Sequence, residues 1–88
     1  MKVEFRRSFA RDLTKIRDKA LLKRVAELIE AVERAPSLTE ISNLKKLKGR
    51  TDYYRIRIGN HRVGITRAGD NLVFVRFLNR NEIYRYFP

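Results

Sequence analysis

Five arginines recur where three stretches of alternating sequence would place them on one side of a β-sheet. They are Arg55, Arg57, Arg62, Arg76 and Arg80. A guanidinium group keeps its charge at any working pH and presents a planar fork of donors that matches phosphate. The spacing therefore predicts a cationic sheet face that binds a phosphate-bearing ligand.

The prediction depends on strand alternation, because successive side chains of a strand point to opposite faces. Residues 53–58, 61–67 and 72–78 alternate, and turns at 59–60 and 69–71 separate them. We expect the inward residues of these strands to be Tyr54, Ile56, Ile58, Val63, Ile65, Val73, Val75 and Phe77. Phe74, Leu78 and the five arginines would then point outward.

Such a face can also be an ordinary solvated surface. However, like charges on neighbouring strands destabilise a sheet, and between residues 53 and 81 the only carboxylate is Asp70, in a turn. This balance favours an anion site. Gly64 would leave room for a ligand, whereas His61, on the core side, is expected to be structural.

Further candidate RNA contacts lie around the same face. Aromatic rings can stack on unpaired bases, and lysines and arginines can bind the backbone. The candidates are Lys45, Lys46, Lys48, Arg50, Tyr53, Arg85 and Tyr86.

Composition points to the same class of ligand. The 88 residues contain 21 Lys plus Arg against 10 Asp plus Glu, a formal charge of +11. A domain this basic attracts polyanions, most often nucleic acid. The chain has no cysteine, no signal peptide and no stretch of transmembrane length, so we expect a cytoplasmic protein that does not bind membranes. We expect no metal site and no cofactor.

The remaining pattern predicts a single α+β domain over residues 1–88. A strand at 2–6 is followed by a helix capped by Ser8, then by a helix that Asp18 caps and Pro36 ends. Residues 35–52 read as a loop, and residues 79–88 as a tail with one helical turn. The order β-α-α-β-β-β predicts an antiparallel sheet with a two-helix hairpin packed on one face. The expected core adds Val3, Phe5, Phe9, Leu13, Ile16, Leu22, Val25 and Ile29 to the inward strand residues.

This order and two segments resemble the RelE/ParE toxin superfamily, and its RelE branch most closely. The segments are Leu47-Lys-Gly-Arg-Thr-Asp-Tyr-Tyr-Arg-Ile-Arg-Ile-Gly-Asn-His-Arg-Val63 and Asn79-Arg-Asn-Glu-Ile-Tyr-Arg-Tyr-Phe-Pro88. The resemblance implies a ribosome-dependent mRNA endonuclease that works without metal through the substrate 2′-hydroxyl. It also implies an acidic, RelB-like antitoxin as partner, besides the ribosome and mRNA. The family's catalytic positions match Arg55, Arg57, Arg62, Arg80 and Tyr84.

Two other functions remain open at this point. The ParE branch shares the fold and inhibits DNA gyrase. A relative that binds RNA with weak or no cleavage is the second alternative.

Overall fold

A five-stranded sheet carries helices on both faces in the computed structural model, which describes residues 1–88. The elements are β1 Lys2–Phe5, α1 Arg7–Thr14, α2 Lys19–Arg34, a 3₁₀ turn Leu38–Glu40, β2 Leu44–Lys46, β3 Tyr53–Ile58, β4 His61–Ala68, β5 Asn71–Asn79 and α3 Arg80–Tyr86. The strand order is β1-β5-β4-β3-β2. None of the helices has the length and apolar character needed to cross a bilayer. The predicted α+β class is confirmed.

The two N-terminal helices begin differently from each other. Asp18 caps α2 as predicted, because its carboxylate accepts hydrogen bonds from the backbone N–H groups of Ala20 (3.0 Å) and Leu21 (3.2 Å). Ser8 does not cap α1, because the helix begins at Arg7 and Ser8 is its second residue. Its hydroxyl instead donates to the carbonyl of Val75, and this bond ties α1 to β5.

The sheet is mixed, whereas the sequence predicts an antiparallel one. The meander of β3, β4 and β5 is antiparallel as expected, but β1 runs parallel to β5 with Phe5 opposite Phe74. β2 forms within the predicted loop 35–52 and pairs with β3 at the edge of the sheet. A strand of three residues with two lysines is typical of a protected edge and gives little alternation to detect.

An irregularity in β5 changes which of its residues face the helices. Gly64 lies opposite Arg76, but the next residue, Ile65, lies opposite Phe74, so Val75 is an extra residue. Phe74 therefore points into the core and packs against Phe9, with ring centroids 5.3 Å apart, instead of pointing outward. For the same reason Val73 lies on the arginine face, and its predicted inward orientation is wrong.

The main core lies between the sheet and the two helices α1 and α2. Its largest fully buried residues include Phe9, Phe74, Phe77, Ile56, Ile65 and Leu72. Phe5, a predicted core residue, is 50% exposed. A second, smaller group of buried residues lies on the opposite face, where Val73, Ile83 and Phe87 pack.

Candidate active site

A pocket of about 220 Å³ opens on the arginine face and is lined by four cationic side chains. We call it the basic pocket. Its lining residues are Asn43, Lys45, Arg55, Arg57, Arg62 and Tyr84. No carboxylate lines it, and none of the four cations forms an ion pair within the chain.

The β3–β4 hairpin positions the three arginines. Arg57 lies directly opposite Arg62, and Arg55 lies opposite Gly64, so all three share one face, as predicted from alternation. Like charges directly opposite each other destabilise a sheet, and an anion bound beside Arg57 and Arg62 would lower this cost.

The turn that joins the two strands holds the Arg62 guanidinium. Its Nη1 donates to the carbonyl oxygens of Gly59 (3.1 Å) and His61 (2.9 Å). Gly59 has φ +55, which a glycine adopts without strain. The Nε and Nη2 groups of Arg62 make no hydrogen bond within the chain and are free to bind a ligand.

β2 completes the wall of the pocket. Lys45 pairs with Arg55 across β2 and β3, and this pairing puts its ammonium group on the arginine face. Asn43, which sequence reasoning missed, lines the same wall just before the strand begins. Asn43 has a φ of +62, a conformation that asparagine tolerates better than most residues. The presence of an asparagine is therefore the sequence signal that could have marked a turn at this position.

α3 brings Tyr84 to the pocket. The Arg55 guanidinium carbon lies 4.6 Å from the centre of the Tyr84 ring, and Tyr84 as a whole remains 62% exposed. The Asn79 side chain caps the helix by accepting from the N–H groups of Asn81 (3.0 Å) and Glu82 (2.9 Å). The predicted tail is thus an ordered helix with Tyr84 at the rim of the pocket.

The prediction that Gly64 leaves space for a ligand is wrong. The ring of Phe87 occupies that space, since a Cβ built on Gly64 would lie 2.7 Å from the Phe87 Cγ. Tyr53 packs against the same ring, with centroids 5.8 Å apart. The C-terminal segment packs closely on β4 only because residue 64 is a glycine. The Phe87 ring leaves Tyr53 half-buried.

Arg76 does not join the basic pocket, contrary to the predicted cluster of five arginines. Asp12 of α1 accepts from its Nε (2.8 Å) and its Nη2 (3.1 Å), and these hydrogen bonds raise the pKa of Arg76. The sequence shows no acid near Arg76 because its partner lies 64 positions away.

The other predicted contacts are dispersed. Arg80 is exposed at the start of α3 and does not line the pocket. Lys46 pairs with Tyr54 and therefore faces the helix side, whereas Lys48 and Arg50 border a shallow depression of the β2–β3 loop. Arg85 and Tyr86 lie exposed on α3.

His61 lies outside the pocket and is structural, as predicted. It stacks on Phe77 with ring centroids 5.0 Å apart, and burial lowers its pKa.

The side chains of the basic pocket, four cations without a carboxylate, are suited to hold and neutralise a phosphodiester, and Tyr84 carries the one hydroxyl group among them.

Comparisons with known proteins agree with this fold. A family model described as the ParE toxin of the type II toxin–antitoxin system parDE matches residues 3–84. The chain is 43% identical to Toxin RelE3 of Methanocaldococcus jannaschii over the full length of both proteins. It is similar to a chain of the RelB-RelE antitoxin-toxin complex from Methanococcus jannaschii, with a TM-score of 0.82 and 40% identity, covering 97% of this chain and 99% of that one. A chain of the archaeal RelE-RelB complex from Pyrococcus horikoshii shares the fold at 24% identity, with a TM-score of 0.72 and coverage of 90% and 93%. Matches that span nearly the whole chain show that it belongs to the RelE/ParE superfamily of toxins from type II toxin–antitoxin systems.

Proposed function

We propose that the chain is a ribosome-dependent mRNA endonuclease that holds the scissile phosphate in the basic pocket. The observation that carries the proposal is the convergence of Lys45, Arg55, Arg57 and Arg62 beside Tyr84 without a carboxylate. Such a site neutralises a ribose-phosphate backbone and offers a hydroxyl for proton transfer.

The reaction uses the substrate as its own nucleophile. The 2′-oxygen attacks the adjacent phosphorus, its proton passes to solvent, and the bond from phosphorus to the 5′-oxygen breaks. The 5′-oxygen takes a proton as it leaves, so the products are a 2′,3′-cyclic phosphate and a 5′-hydroxyl. No metal ion is needed for this balance.

The pocket residues take separate roles in this scheme. Arg62 stabilises the negative charge that develops on the phosphoryl oxygens, because the carbonyls of Gly59 and His61 already fix its guanidinium. Arg55 and Arg57 bind the backbone and favour ionisation of the 2′-hydroxyl. Tyr84 donates the proton to the leaving oxygen and regains one from water.

The site has no histidine or carboxylate to act as a fast base. We therefore expect slow cleavage of free RNA. The ribosome supplies the orientation of the 2′-oxygen, and orientation removes a large part of such a barrier. This function also requires a cytoplasmic location.

Arg62→Ala tests the proposal, with Arg67→Ala on the same strand as the matched control. On ribosomes stalled on a defined mRNA, wild type and Arg67→Ala should produce cleaved ends with a 2′,3′-cyclic phosphate, and Arg62→Ala should be slower by about 10²–10³-fold. Equal cleavage by all three proteins would refute the role of Arg62. Absence of cleavage by wild type would refute the proposed function.

A second candidate function comes from the family model, which describes a ParE toxin. In this alternative the chain inhibits DNA gyrase and leaves mRNA intact. A supercoiling assay with purified gyrase separates the two: inhibition without mRNA cleavage selects the ParE-like function.

The partner we propose is an acidic, RelB-like antitoxin. The similar archaeal structures are complexes of a RelE with a RelB, and the charge of +11 favours an acidic segment that orders on binding. Affinity for the antitoxin should fall as salt rises.

A further inference from the structure

The ion pair between Asp12 and Arg76 lies outside the basic pocket but contacts α3 through Arg76. Asp12 is the one buried charged residue, 3% exposed. Its carboxylate accepts from Arg76 Nε (2.8 Å), Arg76 Nη2 (3.1 Å) and the backbone N–H of Phe77 (2.9 Å). The fork of Arg76 is therefore fixed in one orientation.

The fixed guanidinium meets an aromatic ring of α3. Its Cζ lies 5.6 Å from the centre of the Tyr86 ring, within the range of a cation–π contact. Arg76 also lies opposite Gly64, the residue on which Phe87 packs. Arg76 thus contacts the C-terminal end of α3 from the sheet face on which the helix packs.

Two such contacts hold the short helix. Arg55 contacts Tyr84, and Arg76 contacts Tyr86. Arg55 lines the pocket and must also serve the bound backbone. Two N–H groups of Arg76 donate to Asp12, and these hydrogen bonds hold its guanidinium beside Tyr86 independently of the basic pocket.

We propose that the Asp12–Arg76 pair is a positioning device that orients α3 through Tyr86 and so places the Tyr84 hydroxyl in the basic pocket. Arg76 and Tyr86 are then positioning residues, not RNA contacts. A seven-residue helix is not stable alone, so its orientation depends on the groups that it packs against. This inference rests on the proposed cleavage function.

The test is single-turnover cleavage on programmed ribosomes over a range of toxin concentrations. Tyr86→Leu removes the ring that Arg76 supports and leaves the ion pair intact. The double variant Asp12→Asn with Arg76→Gln removes the pair and leaves the ring. Both should lower the maximal rate about tenfold while the half-saturating concentration stays within about twofold of wild type.

Two further proteins serve as references in the same assay. Tyr86→Phe retains the ring and should recover most of the rate. Arg67→Ala removes an arginine from the same sheet without touching α3 and should behave as wild type.

Other outcomes would overturn the inference. A higher half-saturating concentration at an unchanged maximal rate would mean that Tyr86 and Arg76 contact RNA. An unchanged rate in Tyr86→Leu would mean that the ring does not position Tyr84, and this variant decides the matter if the double variant does not fold.

If wild type itself does not cleave, the proposed function fails, and amide hydrogen exchange still tests the positioning device. Exchange across residues 80–86 should be faster in Tyr86→Leu than in wild type. Equal exchange would overturn the inference independently of activity.

Discussion

Replacing Gly64 by alanine tests whether the contact between β4 and the C-terminal segment maintains the site. The added Cβ would lie 2.7 Å from Phe87 Cγ and 2.8 Å from both Cδ atoms. Carbon atoms in contact are normally about 3.5–4.0 Å apart, so the ring must recede by roughly 1 Å. The ring is buried and joined to α3, so the helix and Tyr84 move with it.

Both stability and activity should respond. Overpacking of this kind costs about 1–3 kcal/mol, which corresponds to a loss in Tm on the order of 10 °C for a domain of this size. A displacement of about 1 Å at a catalytic group lowers the rate by up to about 10²-fold. Thermal unfolding followed by circular dichroism measures the first effect, and cleavage on programmed ribosomes measures the second.

A double-mutant cycle shows whether the clash is the cause. Phe87→Ala removes the ring, so Gly64→Ala should cost little more in that background, with a coupling of about 1–3 kcal/mol. If Gly64→Ala destabilises the protein equally in both backgrounds, or leaves stability and rate as in wild type, the packing argument is refuted.

Three further predictions concern the pocket charge, the cap of α3 and the half-buried His61. Arg57→Ala should reduce the slope of log affinity for single-stranded RNA against log salt by about 0.7, while Arg34→Ala, on the exposed side of α2, leaves the slope unchanged; equal slopes for all proteins would contradict phosphate binding in the pocket. Asn79→Ala removes the side chain that caps α3 and should lower the free energy of unfolding by about 1 kcal/mol in urea, whereas Asn81→Ala changes it by less than about 0.5 kcal/mol. Burial lowers the pKa of His61 below its ordinary 6.5. As the pH falls, His61 therefore binds a proton in the unfolded chain before it does so in the folded chain, and the Tm should fall between about pH 6.5 and the lower pKa of the folded state. His61→Gln should lose this part of the pH dependence, and an identical Tm profile for the two proteins would show that His61 does not contribute.

Local patterns were enough to predict the three arginines of the basic pocket. Arg55, Arg57 and Arg62 lie on two strands joined by a two-residue turn, so alternation and turn chemistry alone fix their common face. Asp18 could likewise be identified as a helix cap from its own position in the sequence. These interactions join residues that are near one another along the chain.

The errors arise where distant segments meet. The partner of Arg76 comes from α1, and no local signal marks Asp12 as its ligand. The extra residue in β5 turns Phe74 inward, and the continuous apolar run of residues 72–75 gives no polar alternation that could reveal it. The docking of Phe87 on Gly64 also joins elements that local patterns treat separately, so the sequence suggested an open space at that point.

The pairing of β1 with β5 has a consequence for synthesis of the toxin. The first strand to leave the ribosome has its partner in the last, so residues 2–5 stay unpaired until residues 71–74 have been made. Contacts of such long sequence separation form late and slow down folding. Tyr84 and its helix are made later still, so the basic pocket lacks its tyrosine while the strands before it are being synthesised.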